Sequence, residues 1–131
     1  MKQNARALAG KALIDCAVES AFDKKAEDVT QINLESISGI ADWFVVCQGD
    51  NPLHNKAIAD AIIIELKARN TRPWHVEGYE QGRWILIDYS DVIIHIMLPE
   101  IREYYQLEDL WEDSSAEKVM DKKARGADTG Y

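Results

Sequence analysis

The chain has 131 residues, 47% of them hydrophobic and 29% charged, the size and make-up of one globular domain. Its net charge of −8 and sequence pI near 4.8 set it against phosphate backbones, so sequence-specific nucleic-acid recognition is not expected; the same charge would steer it toward a basic protein, but many soluble enzymes are equally acidic and charge alone does not choose a partner. No apolar run approaches the roughly 20 residues of a membrane span, and the basic start Met1-Lys2-Gln3-Asn4-Ala5-Arg6 is followed by Gly10, Lys11 and Asp15, which breaks a signal-peptide pattern. A cytoplasmic protein without a membrane partner is the expectation.

Residues 7 to 22 read as a helix, with Leu8, Ala12, Cys16 and Val18 near helical spacing and Leu13 and Ala17 widening the stripe. The charged run Asp23 to Asp28 reads as its solvated end. Val29 to Leu34 is a short strand, and Glu35 to Gly39 carries turn chemistry. Asp42 to Gln48 is apolar on both faces through Trp43-Phe44-Val45-Val46-Cys47, the pattern of a central strand. Both cysteines, Cys16 and Cys47, sit in apolar stretches and read as small buried hydrophobes.

Gly49 ends that strand, and Asp50 or Asn51 with Pro52 opens a helix that runs to about Arg69, with Asn70 as its stop. Ile58, Ile62 and Leu66 form its buried stripe. Pro73 to Glu77 reads as a strand near a sheet edge because of the proline. Trp84 to Tyr89 and Asp91 to Leu98 form a strand pair, and Pro99 opens a last helix from Glu100 to about Gln106. Large apolar residues nearly vanish after Trp111. The expected organisation is one domain over residues 1–111, then a mobile charged tail over 112–131 with a helical turn near Glu117 to Lys123. The order α-β-β-α-β-β-β-α predicts an α/β (α+β) fold, a mixed sheet packed by helices.

The hairpin carries the strongest functional signal. A two-residue turn at Tyr89-Ser90 sets Asp88 against Asp91 and Trp84 against His95. One face is then aliphatic: Ile85, Ile87, Val92, Ile94 and Ile96. The other holds Trp84, Leu86, Asp88, Asp91, Ile93 and His95. An aromatic anchor beside charges is a common make-up of a partner-binding face, although Trp84 capping the core edge gives a purely structural alternative.

Catalytic patterns are weak. Gly49-Asp50-Asn51 precedes a helix N-terminus, where anions bind, and Asp88 and Asp91 could hold Mg²⁺. Nucleotidyltransferases resemble this layout, but they carry a serine at the loop and a tight carboxylate pair, both missing here. His54, His75 and His95 lack zinc spacing. No Walker loop, dinucleotide fingerprint or Gly-x-Ser-x-Gly elbow is present. Neither enzymatic activity nor a cofactor or metal is expected.

Three ordered segments resemble the Iojap family of ribosomal silencing factors. They are Asp42 to Gly49; Glu77-Gly78 with Trp84, Asp88-Tyr89-Ser90-Asp91-Val92 and His95; and Arg102, Tyr105, Leu107, Glu108, Leu110 and Trp111. The likeness covers about residues 8 to 111. It departs at Asn51-Pro52, where members often have serine, and at Ser90, where they often have glycine. The resemblance implies a nucleotidyltransferase-like fold without the catalytic set. It implies binding to large-subunit ribosomal protein fourteen, which blocks joining of the small and large subunits and represses translation. It also implies homodimers of the isolated chain. On this basis Trp84, Asp88, Tyr89, Asp91, His95 and Glu108 are the expected partner-binding residues, with Tyr105 and Trp111 assigned to packing. A large-subunit assembly factor and a nucleotidyltransferase-like enzyme using Mg and nucleotide are the alternatives.

Overall fold

A computed structural model describes residues 6–35, 39, 41–106 and 115–121. Helix α1 spans Gly10–Asp23 and buries Leu13, Ile14, Ala17, Val18 and Ala21, the four-residue spacing of one helical face. Lys25 ends it in the left-handed region, and the Ala26 amide reaches back to the Ala21 carbonyl. Strand β1 (Glu27–Asn33) then pairs antiparallel with β2 (Trp43–Gln48), with an irregularity between Glu27 and Thr30 where Asp28 has a positive φ.

Helix α2 (Pro52–Ala68) opens with proline at its first turn and Asn51 as N-cap, whose side chain accepts the His54 amide. It ends at Arg69, and Asn70, at φ 62°, turns the chain. Strand β3 (His75–Glu77), β4 (Trp84–Asp88) and β5 (Val92–Met97) follow, then α3 (Pro99–Tyr105) and β6 (Ser115–Lys118).

The six strands form one mixed sheet in the order β3-β4-β5-β2-β1-β6. Strands β2 and β5 run parallel at its centre, and the other neighbours are antiparallel. Their central position explains why β2 is apolar on both faces and every residue of β5 is buried. Helices α1 and α2 cover one face, packing on Val45, Ile85, Ile87, Val92, Ile94 and Ile96. Each such fully buried aliphatic side chain contributes about 1.5–3 kcal/mol. A second cluster, Ile32, Leu34, Phe44, Val46, Ile93 and Met97, lies on the opposite face with Trp84, Leu86 and Ile101. There α3 is fastened by Arg102, whose guanidinium donates to the Asp28 carbonyl, Thr30 Oγ1 and Gln48 Oε1.

The mixed sheet packed by helices is as expected, and β3 sits at a sheet edge. Two expectations are corrected. The hairpin turn falls at Ser90-Asp91 instead of Tyr89-Ser90: the Tyr89 amide donates to the Val92 carbonyl, and Trp84 faces Met97 rather than His95. Ser90 takes the positive φ, 78°, that a two-residue hairpin turn requires, and its amide is held by Asp88 Oδ1 at 2.7 Å. The tail over residues 112–131 is interrupted by β6, which pairs with β1, so Glu117 and Lys118 are strand and not helical turn. This strand is made by backbone pairing on the outer edge of β1, which no side-chain pattern in Ser115-Ala116-Glu117-Lys118 announces.

Candidate functional site: the sheet face around Trp84

Strand alternation sends Trp84, Leu86 and Asp88 of β4 to the face opposite α1 and α2. The register places His95 and Met97 of β5 beside them, and His75 and Glu77 of β3 on the other flank. Because the hairpin slips by two residues, an even number, the strand residues Trp84, Leu86, Asp88, Ile93 and His95 keep the face expected of them, while Asp91, now in the turn, leaves it.

Trp84 is half-buried and held from two sides. Its indole N–H donates to His95 Nδ1 at 3.0 Å, and its ring lies 4.9 Å from that of Tyr105 at an angle of 53°. His95 is itself buried, with Phe44 edge-on at 4.6 Å. Burial lowers its pKa from 6.5 to about 4, so the imidazole is neutral at physiological pH.

Asp88 closes the strand with its side chain 24% exposed. Its Oδ2 lies 3.7 Å from His75 Nδ1, and His75 Nε2 lies 3.1 Å from Glu77 Oε2. An aromatic anchor, two carboxylates and an imidazole therefore share one edge of the sheet. Tyr104 is exposed and Tyr105 partly so at the C-terminal end of α3.

Two of the expected partner-binding residues, Asp91 and Tyr89, are not brought to this face, and a third, His95, is buried in it. Asp91 turns to the helix side, where Oδ2 accepts the Gly10 amide at 2.7 Å. Its carbonyl accepts the Asp42 and Trp43 amides. Helix α1 has no side-chain cap of its own at Ala9, and Asp91 supplies one from across the fold. Tyr89 continues the inward alternation of Ile85 and Ile87 and is 6% exposed in the helix-side core. Burial raises its phenol pKa, and its hydroxyl has no partner among the described residues. His95 is on the right face but 4% exposed. Glu108 lies outside the described residues. His75 and Tyr105 are additions to the site. Period-two spacing from Glu77 signals His75, whereas the Tyr105 contact with Trp84 is a tertiary event.

The loop at Gly49 is internally occupied. The Asp50 amide donates to His54 Nδ1 at 2.9 Å, and His54 Nε2 reaches the Lys24 carbonyl at 2.7 Å. A Cβ on Gly49 would meet Asn55 Oδ1 at 2.4 Å, so glycine is required by close packing there. Asp88 and Asp91 diverge to opposite sides of the sheet, which removes the carboxylate pair on which an Mg²⁺ site would depend. No described helix is long and apolar enough to cross a membrane.

Comparison with known proteins adds an independent line. Residues 7–130 match the family model described as ribosomal silencing factor during starvation, so the likeness extends past residue 111 to include β6. The ribosomal silencing factor RsfS of Halalkalibacterium halodurans is 39% identical over 107 residues, covering 82% of this chain and 92% of that protein. RsfS of Bacillus subtilis is 35% identical, covering 79% and 88%. The mouse protein named mitochondrial assembly of ribosomal large subunit protein 1 is 32% identical over 75% of this chain and 44% of its own length. A crystal structure of a Chromobacterium violaceum protein superposes with a TM-score of 0.78 at 28% identity, covering 87% of this chain and 95% of that one. One from Bacillus halodurans gives 0.74 at 35% identity, covering 84% and 100%. With the family model matched over residues 7–130 and relatives 39% and 35% identical over most of its length, the chain belongs to the ribosomal silencing factor family.

Proposed function

We propose that this chain binds the large ribosomal subunit through ribosomal protein fourteen and sterically blocks joining of the small subunit, repressing translation without covalent chemistry. The observation that carries this reading is the half-buried Trp84, gripped by His95 and Tyr105 on a sheet face edged by Asp88 and Glu77. An apolar anchor ringed by charge gives affinity at its centre and selectivity at its rim. The −8 net charge favours encounter with a basic, RNA-rich surface. The names of the relatives point to the same class of target.

The test is subunit joining followed by light scattering with purified small and large subunits. Pre-incubation of the large subunit with this chain is expected to suppress the joining signal, and Trp84→Ala to restore it. Undiminished joining with the wild-type chain would sink the proposal.

The mouse relative's name supports a second reading, a role in large-subunit assembly. The two share a partner but differ in timing. Preferential binding to precursor over mature large subunits would favour assembly.

A further inference from the structure

His95 faces the docking surface but has almost no surface of its own, at 4% exposed. Its contact with Trp84 is specific in a way that simple packing is not. An imidazole nitrogen accepts a hydrogen bond only while it carries no proton. Because Nδ1 accepts the Trp84 indole N–H at 3.0 Å, the ring proton must sit on Nε2. Nε2 is buried and has no partner among the described residues. An unmatched buried donor is unfavourable. Moving the proton to Nδ1 would relieve it only by setting two N–H groups against each other, which would expel the indole. Protonating both nitrogens has the same effect. Phe44, edge-on at 4.6 Å, holds the imidazole, and Tyr105, at 4.9 Å, flanks the other side of the indole.

We propose that His95 is a positioning residue: its unprotonated Nδ1 fixes the orientation in which Trp84 is presented, and it does not itself touch the partner. The proposal rests on Trp84 being the docking anchor. It accounts for a histidine on a β5 face whose other members, Ile93 and Met97, are apolar. A leucine would fill the space but leave the indole N–H without an acceptor.

Two measurements test it. In the ¹⁵N-labelled protein at neutral pH, the ring nitrogens of His95 are expected to show Nε2 protonated and Nδ1 bare, and the Trp84 indole proton to shift on His95→Leu but hold its place on His95→Asn, whose amide oxygen can substitute for Nδ1. A protonated Nδ1, or an indole signal indifferent to His95→Leu, overturns the proposal whether or not the chain binds ribosomes. In binding to isolated large subunits, His95→Asn is expected to stay within about twofold of wild type, and His95→Leu to weaken binding roughly five- to tenfold, the scale of one neutral hydrogen bond. Added to Trp84→Phe, which has no N–H to orient, His95→Leu should change binding by less than about twofold. An undiminished effect in that background assigns His95 a merely structural role and contradicts the proposal. Absence of wild-type binding defeats the docking reading itself and leaves the spectra to decide the positioning claim.

Discussion

The Gly10 amide and the Asp91 carboxylate meet at 2.7 Å, joining the start of α1 to the tip of the β4–β5 hairpin. A residue expected on the docking face instead closes a helix on the far side of the sheet. Asp91→Ala is therefore predicted to cost about 0.5–2 kcal/mol of stability, the range for a lost helix cap. Asp91→Asn, which also caps, should cost less. Urea unfolding measures both, and the folded fraction of either variant is expected to bind large subunits as the wild type does.

Gly78 lies at φ 77°, and a Cβ there would stand 2.1 Å from the Trp84 carbonyl oxygen. Gly78→Ala strains the backbone and pushes on the strand that carries Trp84. Stability is expected to drop by more than about 1 kcal/mol, read from the urea midpoint, with a parallel loss of large-subunit binding.

Stability should depend on pH through His95. Its folded pKa of about 4 lies below the ordinary 6.5, so the unfolded chain binds the proton more readily. The neutral ring's contribution is fully present above pH 6.5 and is lost as pH falls from there through 4. Carboxylates also titrate in the lower part of this window, so the measurement is a difference. The unfolding free energy of wild type should fall more steeply than that of His95→Leu between pH 6.5 and 4, by at most one proton's slope.

The two thiols should separate cleanly. Burial raises the Cys47 pKa to about 12, and it is fully enclosed, whereas Cys16 is partly exposed with a smaller upward push from burial. A thiol-reactive dye is expected to label Cys16 slowly in the native protein and Cys47 only in denaturant. Rapid native labelling of Cys47 would contradict its placement in β2.

What the sequence reveals and what it hides follow from the range of the forces involved. Period-two alternation is local, so the faces of the strand residues Trp84 to Asp88 and Val92 to Ile96 are legible even though the turn lies one residue later than its composition suggests, whereas the same reading puts Asp91, in that turn, on the wrong side. The same alternation, carried one step past Ile87, sends Tyr89 inward. The Asp91 cap is different: its partner is 81 positions away, and nothing near Asp91 in the chain announces that Ala9 leaves α1 uncapped. Strand β6 is hidden for a related reason, since backbone pairing at an edge places little demand on side chains. At the candidate site, Trp84 and Asp88 are readable as an aromatic side chain and a charge on one face, whereas the grip of His95 and Tyr105 on the indole emerges only from packing.

Asp88 is the sharpest probe of the proposed docking surface, because it is a partly exposed carboxylate at the end of β4; its Oδ1 also holds the Ser90 amide, so folding of the reversed variant is measured alongside binding. The decisive measurement is pelleting of wild type and Asp88→Arg with isolated large subunits through a sucrose cushion, at low salt and at raised salt. Wild type is expected to pellet with the subunits, less so as salt rises, while Asp88→Arg, folded as judged by circular dichroism and its urea midpoint, stays in the supernatant. A folded Asp88→Arg that pellets as well as wild type, or a wild type that does not pellet, would contradict the account.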